Sequence, residues 1–229
     1  MIEKRLFRSS IGRKVIIAIT GAGLVLFVVG HLLGNLSIFF GQDAINQYAV
    51  TIKSVPGLLW TARILLLIAL LIHMAFAIRL TIENRLARPS RYAVNNVVQT
   101  TLAARTMALT GLLIFFFIVF HLLHFTLGQV QPNTFDIQDA QGRHDVYSMM
   151  IYGFMNPWYS ALYIVAMFVL CAHLSHGIQS VLQTFGIANR HNLATFRKLS
   201  TVLAVLIFLA FISMPIAVLL NIISLPAGG

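Results

Sequence analysis

Five apolar runs decide what this chain can fold into. They extend from about Val15 to Phe40, Leu58 to Ile78, Met107 to Leu127, Trp158 to Leu182 and Leu199 to Leu225. Crossing the roughly 30 Å of bilayer hydrocarbon takes about 20 apolar residues in a helix, and every run is long enough. Inside hydrocarbon each backbone polar group must be paired, so only helices or closed barrels cross. None of the runs alternates as a barrel strand does. The expectation is an all-α integral membrane protein: five transmembrane helices in a bundle, with residues 1–229 as a single domain. Only 10% of the 229 residues are charged, against about 25% in a soluble domain. That excludes a disordered chain and leaves no stretch for a soluble enzyme domain. Lys4, Arg5, Arg8, Arg13 and Lys14 precede the first run as they would a signal peptide. The run far exceeds the roughly 7–15 residues of a signal-peptide core, so it reads as a retained helix.

The charges then set the topology. There are 16 Lys and Arg against 6 Asp and Glu. All the basic residues but Lys53, Arg63 and Arg143 fall before the first run, between the second and third, or between the fourth and fifth. These three segments lie on one side. The other side carries Asp43, Asp136, Asp139 and Asp145. Lys and Arg collect in cytoplasmic loops, so the N-terminus is expected in the cytoplasm and the C-terminus outside. A net charge of +10 that sorts so cleanly by loop speaks for a lipid bilayer and against nucleic acid. Trp60, Trp158 and Tyr159 sit near the outer helix ends, as an aromatic belt requires. The segment Gly128 to Pro157 reads as a polar outer loop that forms a small cap. No internal repeat or low-complexity stretch stands out. The single cysteine, Cys171, makes no intramolecular disulfide and no iron–sulfur site, which takes about four thiolates.

Ionisable side chains inside a membrane are costly and usually functional. Six of the eight histidines lie within the apolar runs: His31, His73, His121, His124, His173 and His176. His144 and His191 fall in loops. At about 1.5 Å per residue, His31 lies roughly 25 Å past Lys14 and His121 roughly 24 Å past Arg105, a matched outer pair. His73 lies roughly 9–18 Å from the inner surface and His173 at most about 20 Å from it, a matched inner pair. Facing imidazoles suit bis-histidine haem ligation, which leaves no open iron position and serves electron transfer. Zinc wants three or four ligands, and a proton relay usually needs carboxylates within the spans; neither pattern is present. Spacing leaves His124 and His176 as rivals one turn away. Gly21, Gly30 and Gly34 offer close backbone approach to a flat macrocycle, or ordinary small-residue packing.

Several short motifs then coincide. They are S-x-I-G-R-K at Ser9 to Lys14, T-G at Thr20 and Gly21, and H-L-L-G-N at His31 to Asn35. N-x-Y at Asn46 to Tyr48, R-x-M-x-x-T-G at Arg105 to Gly111 and H-x-S-x-G at His173 to Gly177 follow. Together they resemble the membrane-anchor cytochrome b subunit of succinate:quinone oxidoreductases, succinate dehydrogenase (respiratory complex II) and fumarate reductase, in the single-chain, five-helix, di-haem form. The resemblance implies two haem b groups, with His31 and His121 on the distal iron and His73 and His173 on the proximal iron, and it sets His124 and His176 aside. It implies a flavoprotein subunit with FAD, an iron–sulfur subunit and a membrane quinone, menaquinone ahead of ubiquinone, in a bacterial cytoplasmic membrane. Cys171 stands where some fumarate reductases of this type carry a proton-transferring glutamate, so that route is not expected here. Arg5, Arg8, Arg85, Arg88 and Arg91 are candidates for docking the iron–sulfur subunit. Arg13, Lys14, Arg79 and Arg105 are candidates for haem propionates. The alternative is a di-haem cytochrome b of a hydrogenase or formate dehydrogenase.

The outer end of the first run and the loop after it are unusually polar: Asn35, Asp43, Asn46, Gln47, Tyr48 and Lys53, with Arg63 close by. Quinone carbonyls accept hydrogen bonds that Asn, Tyr and Lys donate. A quinone site is expected there, with Asn46, Tyr48 and Lys53 as contacts and Asp43 as proton relay.

Overall fold

The computed structural model describes residues 9–87 and 101–226. Lys4, Arg5, Arg8, Arg88 and Arg91, named above as basic residues or docking candidates, lie outside the described residues. Helix α1 spans Ser10–Asn35 and runs on as a 3-10 turn, Leu36–Phe40. Helix α2 spans Gln42–Lys53, α3 Pro56–Leu86, α4 Leu102–Phe125, α5 Val146–Met155, α6 Pro157–Thr184 and α7 Leu193–Leu219. Five of them, α1, α3, α4, α6 and α7, are long and apolar enough to cross a membrane. The all-α membrane architecture is therefore the observed one. Large apolar side chains such as Leu26, Leu65, Phe116, Phe168 and Leu206 point outward on all five, which suits a lipid solvent.

The spans begin earlier than the apolar runs because caps and polar first turns belong to them. Ser9 Oγ accepts the Gly12 N–H at 3.0 Å and Thr101 Oγ1 accepts the Ala104 N–H at 3.1 Å, satisfying donors left free at a helix start. Pro56 and Pro157 open α3 and α6, where a missing N–H costs nothing. At the far end, α7 stops at Leu219, short of the expected Leu225. Asn221 adopts φ 54°, its N–H donates to the Val218 carbonyl and that of Ile222 to Ala217. This is the left-handed double-bonded stop that Gly or Asn provides.

In space α1 packs on α3 and on α6, α4 packs on α6, and α7 lies along α6. Neither α1 with α4 nor α3 with α6 forms an extended packing pair among the described residues. Four helices thus surround an interior, and α1/α4 and α3/α6 face each other across it.

The other departure lies at the end of the bundle where α1 finishes. The segment read as a polar loop contains α5, and seven of its ten residues are buried, including Met149, Met150, Ile151 and Phe154. The stretch between the first two spans contains α2. One polar network ties them together. Asn46, fully buried, donates from Nδ2 to Asp139 Oδ2 and Asp145 Oδ1, both at 3.0 Å, and accepts the Tyr147 N–H at 3.1 Å. Asp145 also accepts from Gln42 Nε2 at 2.8 Å and caps α5 through the Ser148 N–H. Arg143 joins Asp139 at 2.7 Å and Asp43 at 2.9 Å. The Tyr147 hydroxyl reaches the Ser224 carbonyl beyond α7 at 3.1 Å.

Burial raises the Asp139 carboxyl. The hydrogen bonds from the Arg143 N–H, the Asn46 amide, the Arg143 guanidinium and the Gln141 N–H outweigh it and hold the group at about 2. A folded value below the ordinary 3.8 means the carboxylate's contribution is complete above 3.8 and is lost as pH falls toward about 2. Asn46→Leu should destabilise the cap by about 1–3 kcal/mol for each buried group left unsatisfied. A lowered thermal midpoint in detergent, with faster proteolysis at residues 128–145, is the expected result; an unchanged midpoint would remove the network from the structural account.

Candidate cofactor and quinone sites

The local chain explains how each interior histidine is held. The Thr20 hydroxyl donates back to the Ile16 carbonyl at 2.8 Å, as helical threonines do. Its oxygen lone pair therefore accepts, and His73 Nδ1 lies 3.2 Å away and 3.1 Å from the Ile17 carbonyl. A group facing two acceptors must donate, so Nδ1 of His73 carries the proton and Nε2 keeps its lone pair. The same device recurs on α4. Thr110 Oγ1 donates to the Thr106 carbonyl at 3.1 Å and stands 3.1 Å from His173 Nδ1. Beside each threonine a glycine gives the imidazole room: a Cβ on Gly21 would lie 3.0 Å from His73 Cε1, and one on Gly111 3.3 Å from His173 Cε1. His73 and His173 are electrostatic neighbours across the interior.

His121 is oriented by a longer chain. Gln131 Oε1, which only accepts, lies 2.9 Å from His124 Nε2, so that nitrogen is the donor. The neutral ring then accepts at Nδ1 from the Tyr163 hydroxyl at 3.1 Å. The Tyr163 oxygen is left to accept from His121 Nδ1 at 3.3 Å. Nε2 of His121 again stays free. Across the interior its ring faces His31, centroid to centroid 5.7 Å, edge on. His31 stacks on Phe27 and lies 6.3 Å from Phe211 of α7. It is the least anchored of the four: its one side-chain hydrogen-bond partner among the described residues is the Asn35 amide, 3.3 Å from Nε2, and that amide's shorter bond is to the His31 carbonyl at 2.7 Å.

These residues fit a bis-histidine macrocycle. Two imidazoles on one metal at about 2 Å each have centroids roughly 6 Å apart, close to the observed separation. Ligating histidines usually spend the second nitrogen on a fixed partner, as His73, His121 and His173 do. Among the four helices around the interior, the pairs carrying the two histidine pairs form no extended packing pair among the described residues. One turn before Ile17, whose carbonyl meets His73, Arg13 is buried and bonded to Glu83 at 2.5 Å, and its Nε has no partner among the described residues, an orphan donor that a propionate would satisfy. Arg79 is bonded to Glu83 at 3.0 Å, while Lys14 and Arg105 are exposed. His124 has both nitrogens engaged. No cluster of three or more metal-binding side chains occurs among the described residues.

A cavity of about 210 Å³ opens beside His31, lined among others by Gly34, Asn35, Tyr48, Lys53 and Arg63. A Cβ on Gly34 would overlap the Tyr48 phenol, so this glycine is what lets the hydroxyl reach the helix. Lys53 and Arg63 have no carboxylate partner among the described residues; Arg63 lies over the Trp60 ring at 5.1 Å. Of the three expected quinone contacts, the structure brings Tyr48 and Lys53 to the cavity. Asn46 does not line it and is spent on the cap network. Asp43 does not line it either and pairs with Arg143.

The threonine–glycine pairs expose a repeat that the sequence reading missed. Thr20 and Thr110 each precede the outer histidine, His31 and His121, by eleven residues. Arg63 and Tyr163 each precede the inner histidine by ten. The signal was in the sequence as T-G-x9-H, but it is two residues and a distance, and only the shared hydrogen-bond geometry gives it meaning. Arg63 was visible only as part of the polar outer region, and Tyr163 and Gln131 had no such signal.

Among known proteins, residues 87–213, more than half of the chain, match the family model described as Succinate dehydrogenase/Fumarate reductase transmembrane subunit. No curated protein and no solved structure matches.

Proposed function

The chain belongs to the family of succinate dehydrogenase/fumarate reductase transmembrane subunits, and from that membership we propose that it is the di-haem electron-transfer anchor of a succinate:quinone oxidoreductase. A subunit of this family sits in the membrane with the other subunits of its complex. In our reading His31 and His121 hold one haem b and His73 and His173 the other, and the N-terminus is cytoplasmic. A flavoprotein with FAD and an iron–sulfur subunit dock on the basic side. When bound, a bis-histidine haem supplies a one-electron carrier with no open coordination position.

The observation that carries the reading is the anchoring of Nδ1 in His73, His121 and His173, which leaves three Nε2 lone pairs without a hydrogen-bond partner among the described residues. The chain's own part follows from it. Thr20, Thr110 and Tyr163 fix the tautomers and orient the rings. Arg13 offers its orphan Nε to a propionate. Phe27, Phe211 and the surrounding apolar side chains keep water from the outer pair. At the cavity, Tyr48 and Asn35 donate to a quinone carbonyl, and Lys53 and Arg63 favour the negative charge that reduction brings. Menaquinone is the expected quinone, and a bacterial cytoplasmic membrane the expected location.

The experiment is purification of the intact complex from membranes. Two haems b per chain, a bis-histidine spectrum, and succinate-driven reduction of added quinone are expected. A complex that oxidises succinate with no haem on this chain would overturn the haem assignment and leave a plain anchor.

A further inference from the structure

We propose that His144 exchanges protons between the quinone cavity beside His31 and the water at the capped end of the bundle, through the gap that Lys53 closes. This rests on the quinone reading above. A second cavity, of about 280 Å³, is lined by Ala49, Val50, Lys53, Ser54 and His144. Ala49 and Lys53 are also walls of the quinone cavity. One helical turn of α2 therefore separates the two spaces, and the side chain between them is a flexible lysine. The second cavity lies at the surface, because Val50, Lys53 and Ser54 are exposed.

Of the carboxylates nearby, Asp136 is exposed and lines neither cavity, and the other three are committed elsewhere. Asp139 is held at about 2 and stays ionised at any working pH. Asp145 is held below its ordinary range by the Ser148 and Asn46 hydrogen bonds, against the opposing effect of burial. Asp43 is paired with Arg143. His144, on the wall of the second cavity, is the remaining candidate, a residue type whose ordinary charge change falls near neutrality. Burial and the Lys53 charge push its imidazole below its ordinary value, while Asp136 and Asp145 pull the other way. Phe135, 5.4 Å from its ring, covers it on the loop side. In the proposed route the ring takes a proton from outer water and passes it inward.

The stoichiometry closes. Succinate, oxidised to fumarate by the partner subunits, releases two electrons and two protons on their side. Quinone gains two electrons, and two O–H bonds form on its carbonyl oxygens with two protons drawn through His144. Quinol oxidation reverses both flows.

The test uses the whole complex in sealed vesicles, with succinate as donor and a short-chain naphthoquinone as acceptor. His144→Ala is expected to lower kcat about tenfold, at the low end of what proton-transfer groups contribute, with KM within about twofold. In the wild type the rate falls as pH rises through the His144 value, because the protonated fraction falls, and His144→Ala loses that limb. Imidazole added at the capped side should restore the rate. His144→Gln keeps a hydrogen-bonding side chain that cannot titrate and should be as slow as His144→Ala; a normal rate in His144→Gln would reduce the residue to a structural prop and overturn the proposal. So would an unchanged pH profile in both variants. Filling the quinone cavity separates the two readings: if that leaves quinone reduction intact, the quinone site itself is misplaced, whereas a block there with normal turnover in His144→Ala overturns the proton route alone.

Discussion

His121→Ala is expected to remove one of the two proposed haems and spare the other. The loss follows from the proposed ligation of one iron by His31 and His121 across the α1/α4 diagonal, with their rings 5.7 Å apart. His173→Ala should do the reverse, because His73 and His173, each held by a threonine of the adjacent helix, lie one level deeper on the α3/α6 diagonal. His124→Ala, though only one turn from His121, should keep both haems, since its two nitrogens are spent on Tyr163 and Gln131. It should still loosen the outer haem by freeing Tyr163. Loss of such second-layer partners typically costs 10–100-fold in affinity, so Tyr163→Phe should show the same weakening with a normal spectrum. Haem per chain, read from the pyridine derivative, together with the redox spectrum of each variant, checks the whole pattern. Loss of a haem in His124→Ala with full retention in His121→Ala would reverse the ligand choice on α4.

The sequence made some of this legible and hid the rest for identifiable reasons. The spans are visible because lipid demands long uninterrupted apolar helices, and that demand acts locally on each run. Depth along a helix is also local, so His31 could be paired with His121, and His73 with His173, by counting from the charged ends. The tautomers were not legible. They depend on Thr20 and Thr110 reaching a histidine on a neighbouring helix, more than fifty residues away in sequence. The cap was misread for a related cause. Residues 146–155 are apolar but too short to span, and polar neighbours on both sides made the segment look like loop. It is buried because α2 and the end of α7 cover it, a tertiary fact. Asn46 shows the same limit: its residue type suits a quinone carbonyl, but its surroundings supply three protein partners first.

The broken repeat supports placing the proposed quinone beside His31. Gly34 follows His31 by three residues as His124 follows His121. In the α4 half that position is filled: His124 is buried and stacks on Phe125 at 4.0 Å, with Tyr159 5.1 Å away. The α1 half has a glycine there, and the space it leaves is occupied by the Tyr48 phenol and the adjoining cavity. The three nearest neighbours of a Cβ on Gly34 are all Tyr48 atoms, so a larger side chain displaces the tyrosine, not the imidazole. Gly34→Leu should therefore fill the cavity from both sides. Quinone reduction is expected to fall at least about 100-fold, close to 2.7 kcal/mol of lost transition-state stabilisation, while succinate oxidation with a soluble dye and the content of both haems stay normal. The dye assay matters because it draws electrons from the partner subunits and is indifferent to this cavity. Tyr48→Phe, which removes only the hydroxyl, should be milder and should act mainly on KM. Full quinone turnover in Gly34→Leu would place the quinone away from His31, on a surface that the broken repeat does not mark.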